Sequence, residues 1–139
     1  MRLAAFVLAL AVPAAAFGSD YGAPCSPSAA ADAFWDAAGA IPHSKYVGDA
    51  ARQCFILSVA CRQAVRGAYQ CETASASGYW KAVELLCVAQ RGAPAERACR
   101  STVRGWLNSA LAAARQDLLA ATTYCAAEAA ECSAGGGGY

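Results

Sequence analysis

The spacing of the cysteines constrains this chain more than any other feature. Cys54 and Cys61 are seven residues apart, as are Cys125 and Cys132. Both pairs lie in stretches whose apolar residues recur at helical steps of three and four. Seven residues are two helical turns, so the two α-carbons of a pair lie about 10.5 Å apart. A disulfide needs α-carbons within about 7 Å, so each cysteine has to reach another helix.

The simplest arrangement joins one pair to the other. In two antiparallel helices, Cys54 would bond to Cys132 and Cys61 to Cys125. The remaining four cysteines would attach other segments to this ladder, in an order that the spacing leaves open: Cys25, Cys71, Cys87 and Cys99.

The even count of eight cysteines is typical of a disulfide framework in a short secreted chain. Zinc binding is the less favoured alternative, because zinc ligands are usually two to four residues apart, often with histidines. Here the closest cysteines are seven apart and there is one histidine. We therefore expect no metal and no cofactor.

The N-terminus has the layout of a secretory signal peptide. Arg2 precedes an apolar run over residues 3–12, and small residues follow at 14–16. We expect residues 1–16 to be removed, with Gly18 as an alternative cleavage point, and the mature protein to be secreted. An N-terminal membrane anchor is less favoured, because a span needs about 20 apolar residues. Charges interrupt every later apolar run, so we expect no membrane span.

The sequence predicts an all-α fold, a small disulfide-stapled bundle of three to four helices with a long C-terminal helix. We expect an extended arm, one helical cysteine-rich domain and a flexible glycine-rich tail, over residues 17–27, 28–132 and 133–139. The predicted helices cover residues 29–38 (capped by Ser28), 45 or 49 to 68, 79–90 and 94–132. Small polar residues predict a connector over 71–78.

The last helix is the most strongly patterned. Pro94 suits a first helical turn, and alanine, the best helix former, fills most of the other positions. Its apolar stripe follows steps of three, four or seven: Cys99, Val103, Trp106, Ala110, Ala114, Leu118, Ala121, Cys125 and Cys132.

Basic residues are concentrated in the middle of the chain, with nine between Arg52 and Arg115 against three glutamates. A solvated face that packs beside acidic flanks is the favoured explanation. The alternative is a surface for an anionic partner. Arg97, Arg100 and Arg104 lie at steps of three and four on one helix face, and they are the candidate contact for a protein receptor or an anionic glycan.

No catalytic signature is present. The chain has no Gly-rich phosphate loop, no His-Glu-x-x-His and no Gly-x-Ser-x-Gly. Asp32 and Asp36 are four residues apart on a short helix, a spacing common on solvated surfaces. No nucleic-acid motif accompanies the basic residues. We predict a protein that is not an enzyme and does not bind nucleic acid, and the pattern leaves its oligomeric state open.

Several positions resemble the stanniocalcins, a family of secreted, cysteine-rich helical glycoprotein hormones. The matching positions are Trp80, Leu85, Cys87, Val88, Ala89, Cys99, Cys125 and Cys132. The resemblance implies a secreted signalling role linked to calcium and phosphate handling. The chain departs from the family in a longer interval between Cys99 and Cys125 and in lacking a glycosylation sequon. The helix and cysteine pattern also resembles the helical cysteine modules of GDNF receptors.

Two functions follow as predictions. The first is a secreted, non-enzymatic signalling or interaction protein that binds another macromolecule. The alternative is a carrier of a small apolar ligand or lipid, enclosed by alanine-rich faces around Leu57, Trp80, Trp106 and Leu118.

Overall fold

The computed structural model describes residues 25–39, 50–90 and 92–135. These residues form α1 (Pro27–Gly39), α2 (Ala50–Leu86) and α3 (Ala93–Ala134), with a 3-10 turn at Cys87–Ala89 after α2. No strand occurs in these three ranges. The protein is therefore a small, disulfide-stapled all-α fold with a long C-terminal helix, as predicted. The predicted signal peptide, the arm before Cys25, the helix start at 45 or 49 and the last four tail residues lie outside the described residues.

Four disulfides fix the arrangement of the helices. Cys54 bonds to Cys132 and Cys61 to Cys125, with α-carbons 5.8 Å and 5.9 Å apart, which is the pairing that the seven-residue spacing predicts. Since the residue numbers rise along α2 as they fall along α3, the two helices are antiparallel. The other two bonds, which the sequence left unordered, are Cys25–Cys71 and Cys87–Cys99. They attach the start of α1 to the middle of α2 and close the α2–α3 hairpin.

The core lies where α1 packs against α2 and α3. Its buried members come from α1, α2 and α3, and they are Ala31, Cys61, Val65, Ala121 and Cys125. The partly buried side chains of Phe34, Trp35 and Leu118 pack against them. Most of the five buried side chains are small, and two of the five belong to the Cys61–Cys125 disulfide. Burial of apolar area is correspondingly modest, and the disulfides supply stability by restricting the unfolded chain.

The predicted stripe on α3 is buried at Val103, Ala114, Ala121 and both ladder cysteines. Trp106 is the exception, because its side chain is 51% exposed. Trp106 lies three residues after Val103, a rotation of about 300° around the helix axis. It is therefore about 60° away from Val103 and lies at the edge of the buried stripe. Its indole instead lies beside that of Trp80, with the ring centroids 5.3 Å apart.

The predicted connector over residues 71–78 is wrong, because α2 runs unbroken from Ala50 to Leu86. The predicted third helix is therefore the second half of α2, and it ends in the 3-10 turn rather than at Gln90. Small polar residues lower helix propensity only slightly each, and tertiary packing outweighs that cost. Partly buried residues continue the interhelix face through this segment at steps of three and four: Glu72, Ala76, Tyr79 and Val83.

The start of α1 also differs from the prediction. The helix begins at Pro27, and Ser26 rather than Ser28 acts as its cap, since its hydroxyl accepts a hydrogen bond from the Ala29 N–H at 3.3 Å. Proline suits the first helical position because no partner exists there for an N–H. Ser28 is thereby free to contact α3.

Candidate functional site

The three predicted contact arginines lie together on the first turns of α3. They line an open groove of about 540 Å³ with Ser101, Gly105 and Asn108. Steps of three and four bring Arg97, Arg100 and Arg104 to one side of the helix. The groove therefore presents guanidinium groups, a hydroxyl and an amide, which are donors suited to anionic groups.

Two of the arginines are held by carboxylates. Arg100 donates from Nε and Nη2 to Oε1 of Glu96, at 3.1 Å and 2.8 Å. Arg104 donates in the same way to Oε1 of Glu84 on α2, at 3.2 Å and 3.1 Å. The Nη1 atom of Arg100 lies 3.6 Å from the same Glu84 oxygen. These pairs order the guanidinium groups and offset part of their charge.

Arg97 differs from its two neighbours. Its side chain is exposed, and among the described residues no carboxylate lies within ion-pair distance of it. Exposed ion pairs contribute at most about 1 kcal/mol to stability, so the fold does not depend on Arg97. It is the arginine of the groove with most capacity for an external anion.

Exposed apolar side chains lie at the same end of the hairpin. We call residues 81–90 and 92–104 the hairpin tip, since they join the end of α2 to the first turns of α3. Leu85, Leu86 and Val88 are 73%, 69% and 60% exposed there. Large apolar side chains at this exposure are unremarkable singly, but three within four residues form a patch.

The two ends of the hairpin differ in net charge. The tip contains four basic residues and two acidic ones. The basic residues are Lys81, Arg97, Arg100 and Arg104, and the acidic residues are Glu84 and Glu96. This gives a surplus of two positive charges, whereas the whole chain carries a net charge of +1. At the opposite end, partial desolvation raises the pKa of Tyr124, whose side chain is 37% exposed, and the negative charges of Glu128, Asp32 and Asp36 raise this pKa further. The tip is thus the positive end of the hairpin.

A carboxylate cluster between the helices was missed by sequence reasoning. Asp117 on α3 accepts hydrogen bonds from the Ser26 hydroxyl at 3.0 Å, the Ser28 N–H at 3.2 Å and the Ser28 hydroxyl. Burial alone would raise the pKa of Asp117, but these hydrogen bonds outweigh it and hold the pKa below its ordinary 3.8. The available signal was the position of Asp117, three residues after Ala114 and four before Ala121 on the buried stripe.

Glu72 on α2 belongs to the same cluster. Burial, followed by the negative charge of Asp117, raises the pKa of Glu72 above its ordinary 4.5. Its Oε2 atom and the Trp35 indole nitrogen are buried without a hydrogen-bond partner among the described residues. Buried polar atoms without partners cost free energy, so Glu72 opposes the stability that Asp117 supplies. The wrong connector prediction concealed Glu72, because it placed that residue in a loop.

The described residues contain no group of three or more histidine, cysteine or acidic side chains that could hold a metal ion. All eight cysteines are in disulfides, so no thiol remains as a ligand or nucleophile. In the part of the chain that the structure describes, no helix combines the length and apolar character needed to cross a membrane.

The four residues predicted around an apolar cavity do not converge. Leu57 and Trp80 are on one continuous helix, which separates them by about 35 Å at 1.5 Å per residue. Leu118 packs into the core near α1, while Trp106 is half exposed beside Trp80. The carrier role stays a prediction, for which fatty-acid-dependent tryptophan fluorescence is the measurement.

No protein-family model, curated protein or solved structure is significantly similar to the chain. The resemblance to the stanniocalcins consequently depends on single positions such as Trp80, Leu85 and Cys87.

Proposed function

We propose that this is a secreted, non-enzymatic protein that binds an anionic extracellular macromolecule through the arginine groove of α3. The observation that carries the proposal is the groove itself, in which Arg97, Arg100 and Arg104 line one open space of about 540 Å³. Guanidinium groups bind carboxylate, sulfate and phosphate oxygens through paired N–H donors. An acidic receptor surface or a sulfated glycan has the matching chemistry.

The rigidity of the hairpin supports a binding role. Glu84 and Glu96 orient two of the three arginines before any partner arrives, and the Cys87–Cys99 bond holds the two helices together beside them. Groups that are already ordered lose less conformational entropy when they bind. The fold therefore offers a prepared surface rather than one that forms on contact.

Secretion is part of the proposal. The signal-peptide pattern at residues 1–16 and the four disulfides both favour an oxidising compartment. The resemblance to the stanniocalcins extends the proposal to a signalling ligand, acting in calcium and phosphate handling.

The test is retention on immobilised heparin and on immobilised polyglutamate, which represent a sulfated glycan and an acidic protein. We expect the wild-type protein to bind at least one of them and to elute with salt, because screening weakens contacts between exposed charges. Arg97→Glu should abolish most of the retention, since it reverses the groove charge that has no carboxylate within ion-pair distance among the described residues.

Arg66→Glu is the matched control, because Arg66 is an exposed arginine on α2 outside the groove. It should reduce retention only slightly, by the change in net charge. Equal losses from the two variants would show that net charge alone explains binding, and no wild-type retention on either matrix would reject the proposal.

A further inference from the structure

We propose that the hairpin tip docks on the surface of an anionic lipid membrane. Leu85, Leu86 and Val88 enter the headgroup region, and Arg97 pairs with lipid phosphates beside them. This goes beyond binding of an anionic macromolecule in the groove, because it assigns a role to apolar residues that such binding does not use.

The first support is the position of the apolar side chains. Leu85 and Leu86 are the last residues of α2, and Val88 lies in the 3-10 turn that follows. All three are more than half exposed, although each would be favoured in an apolar environment. An end-on contact with a membrane would bury all three at once.

The second support is the charge next to this patch. Arg97 lies four residues after the first residue of α3, about 6 Å along the helix axis, so it is close to the apolar end. The described residues of the tip carry a surplus of two positive charges. Anionic lipid surfaces attract such basic groups, and apolar burial adds to that attraction.

The shape of the tip favours a lipid surface over a protein partner. The end face of the tip, where α2 ends and α3 begins, has an area of about 200 Å², since each of the two helices is about 10 Å across. A stable protein interface buries about 800 Å² on each partner, which the end face that carries the apolar side chains does not offer. A sulfated glycan would account for the arginines but would leave the apolar patch in water. A deformable interface with phosphate groups above acyl chains accommodates both features.

The test is flotation of the purified, disulfide-bonded protein with vesicles of phosphatidylglycerol and phosphatidylcholine in equal parts. We expect binding to these vesicles at low salt, weaker binding at high salt, and little binding to pure phosphatidylcholine. The Leu85→Ser, Leu86→Ser double variant should lose at least about tenfold in vesicle affinity, because two leucine side chains no longer gain from burial.

Leu119→Ser is the matched control. Leu119 is also exposed, at 68%, but lies on α3 fifteen residues beyond the tip, so this variant should bind vesicles like the wild-type protein. Circular dichroism should show native helicity in every variant, since all three leucines face solvent. Equal binding by the double variant and Leu119→Ser, or equal binding to neutral and anionic vesicles, would overturn the inference.

Heparin and polyglutamate retention separates this inference from the proposed function. Retention without vesicle binding would reject only the lipid inference. Vesicle binding that the double variant loses, without retention on either matrix, would reject only the proposed anionic macromolecule.

Discussion

Asp117 on α3 accepts a 3.2 Å hydrogen bond from the backbone N–H of Ser28 in the first turn of α1. The two residues are 89 positions apart in the chain, and the Ser28 hydroxyl donates to the second oxygen of the same carboxylate. This contact places a negative charge at the N-terminus of α1, where it satisfies a backbone donor that has no partner within the helix. It is the polar counterpart of the Cys25–Cys71 bond, which attaches the same end of α1 to α2.

Asp117→Asn should therefore destabilise the fold. The amide retains one acceptor oxygen but loses the charge that strengthens three hydrogen bonds, and we expect a loss of about 2 kcal/mol in the free energy of unfolding at neutral pH. Urea unfolding with the disulfides intact measures it. Because the pKa of Asp117 is lowered in the folded state, its contribution is present above pH 3.8 and is lost as the pH falls through the folded value. The difference from wild type should thus shrink in strong acid, and Gln116→Ala, a neighbouring exposed change, should have little effect at any pH.

Glu72→Gln should have the opposite effect. The raised pKa of Glu72 means that the folded protein favours the protonated carboxyl. Its contribution to stability is complete below the ordinary pKa of 4.5 and is lost as the pH rises through the folded value. Glutamine removes that loss, so the variant should be more stable than wild type at pH 7 and equal to it below about pH 4. A pH series of urea unfolding checks this, and a uniform gain at every pH would contradict the assignment.

Two of the disulfides should stabilise the fold by similar amounts although their separations in sequence differ. Cys54 and Cys132 are 78 residues apart, whereas Cys87 and Cys99 are 12 apart. The Cys61–Cys125 bond lies inside the first interval and already joins the chain seven residues from each outer cysteine, so the Cys54–Cys132 bond closes a loop of only about 14 residues. Restriction of the unfolded chain then predicts a loss of about 3 kcal/mol when either pair is replaced by alanines. Thermal unfolding of the two double variants measures the losses, and a clearly larger loss for one pair would show that contacts in the folded state dominate.

Gly78→Ala should stabilise the protein by about 0.5 to 1 kcal/mol. A Cβ atom at Gly78 would meet nothing within 4 Å, and alanine is the better helix former. The gain requires that residue 78 is helical, so it would be absent if residues 71–78 formed a connector. Gly92→Ala is the matched contrast, because Gly92 has a φ of 97° that side chains disfavour. It should cost about 1 to 3 kcal/mol.

Glu84→Ala should strengthen anion binding while hardly changing stability, because removal of a negative charge beside the groove outweighs the loss of the orientation that Glu84 gives to Arg104. The substitution releases Arg104 and the Nη1 contact of Arg100. Loss of exposed ion pairs should cost no more than about 1 kcal/mol, whereas retention on heparin should require more salt to elute. Glu131→Ala makes the same charge change on an exposed residue near the other end of α3. Identical shifts for both variants would mean that the groove is not the contact.

The ladder of disulfides could be predicted because it follows from two local quantities, the rise of a helix and the reach of a cystine. The long C-terminal helix could be predicted for a similar reason, since Ala114, Ala121 and Cys125 follow one another at steps of seven and four, which place them on one helix face. The three arginines of the groove could be placed on one helix face in the same way. Their neighbours across the hairpin could not, because the partnership of Arg104 with Glu84 depends on how two helices align.

The remaining features depend on contacts between distant residues. Ser75 and Gly78 have weak helix propensities, and only packing along α3 explains why α2 continues through them. Aspartate is a residue type usually found on the surface, and nothing near Asp117 in the sequence indicates otherwise. Its partial burial depends on contacts with Ser26 and Ser28, which are distant in the chain. Sequence patterns report the periodicity of one element, whereas the burial of a polar residue is decided by the elements that cover it.

Every disulfide has one end on α2 or in the turn that follows it, and the other end elsewhere, at Cys25, Cys99, Cys125 or Cys132. A protease that cuts once between α1 and α2, or once between α2 and α3, would therefore release no fragment. The pieces would stay covalently joined until a reductant acted on them. A nicked backbone would thus still hold α1, α2 and α3 together as one particle.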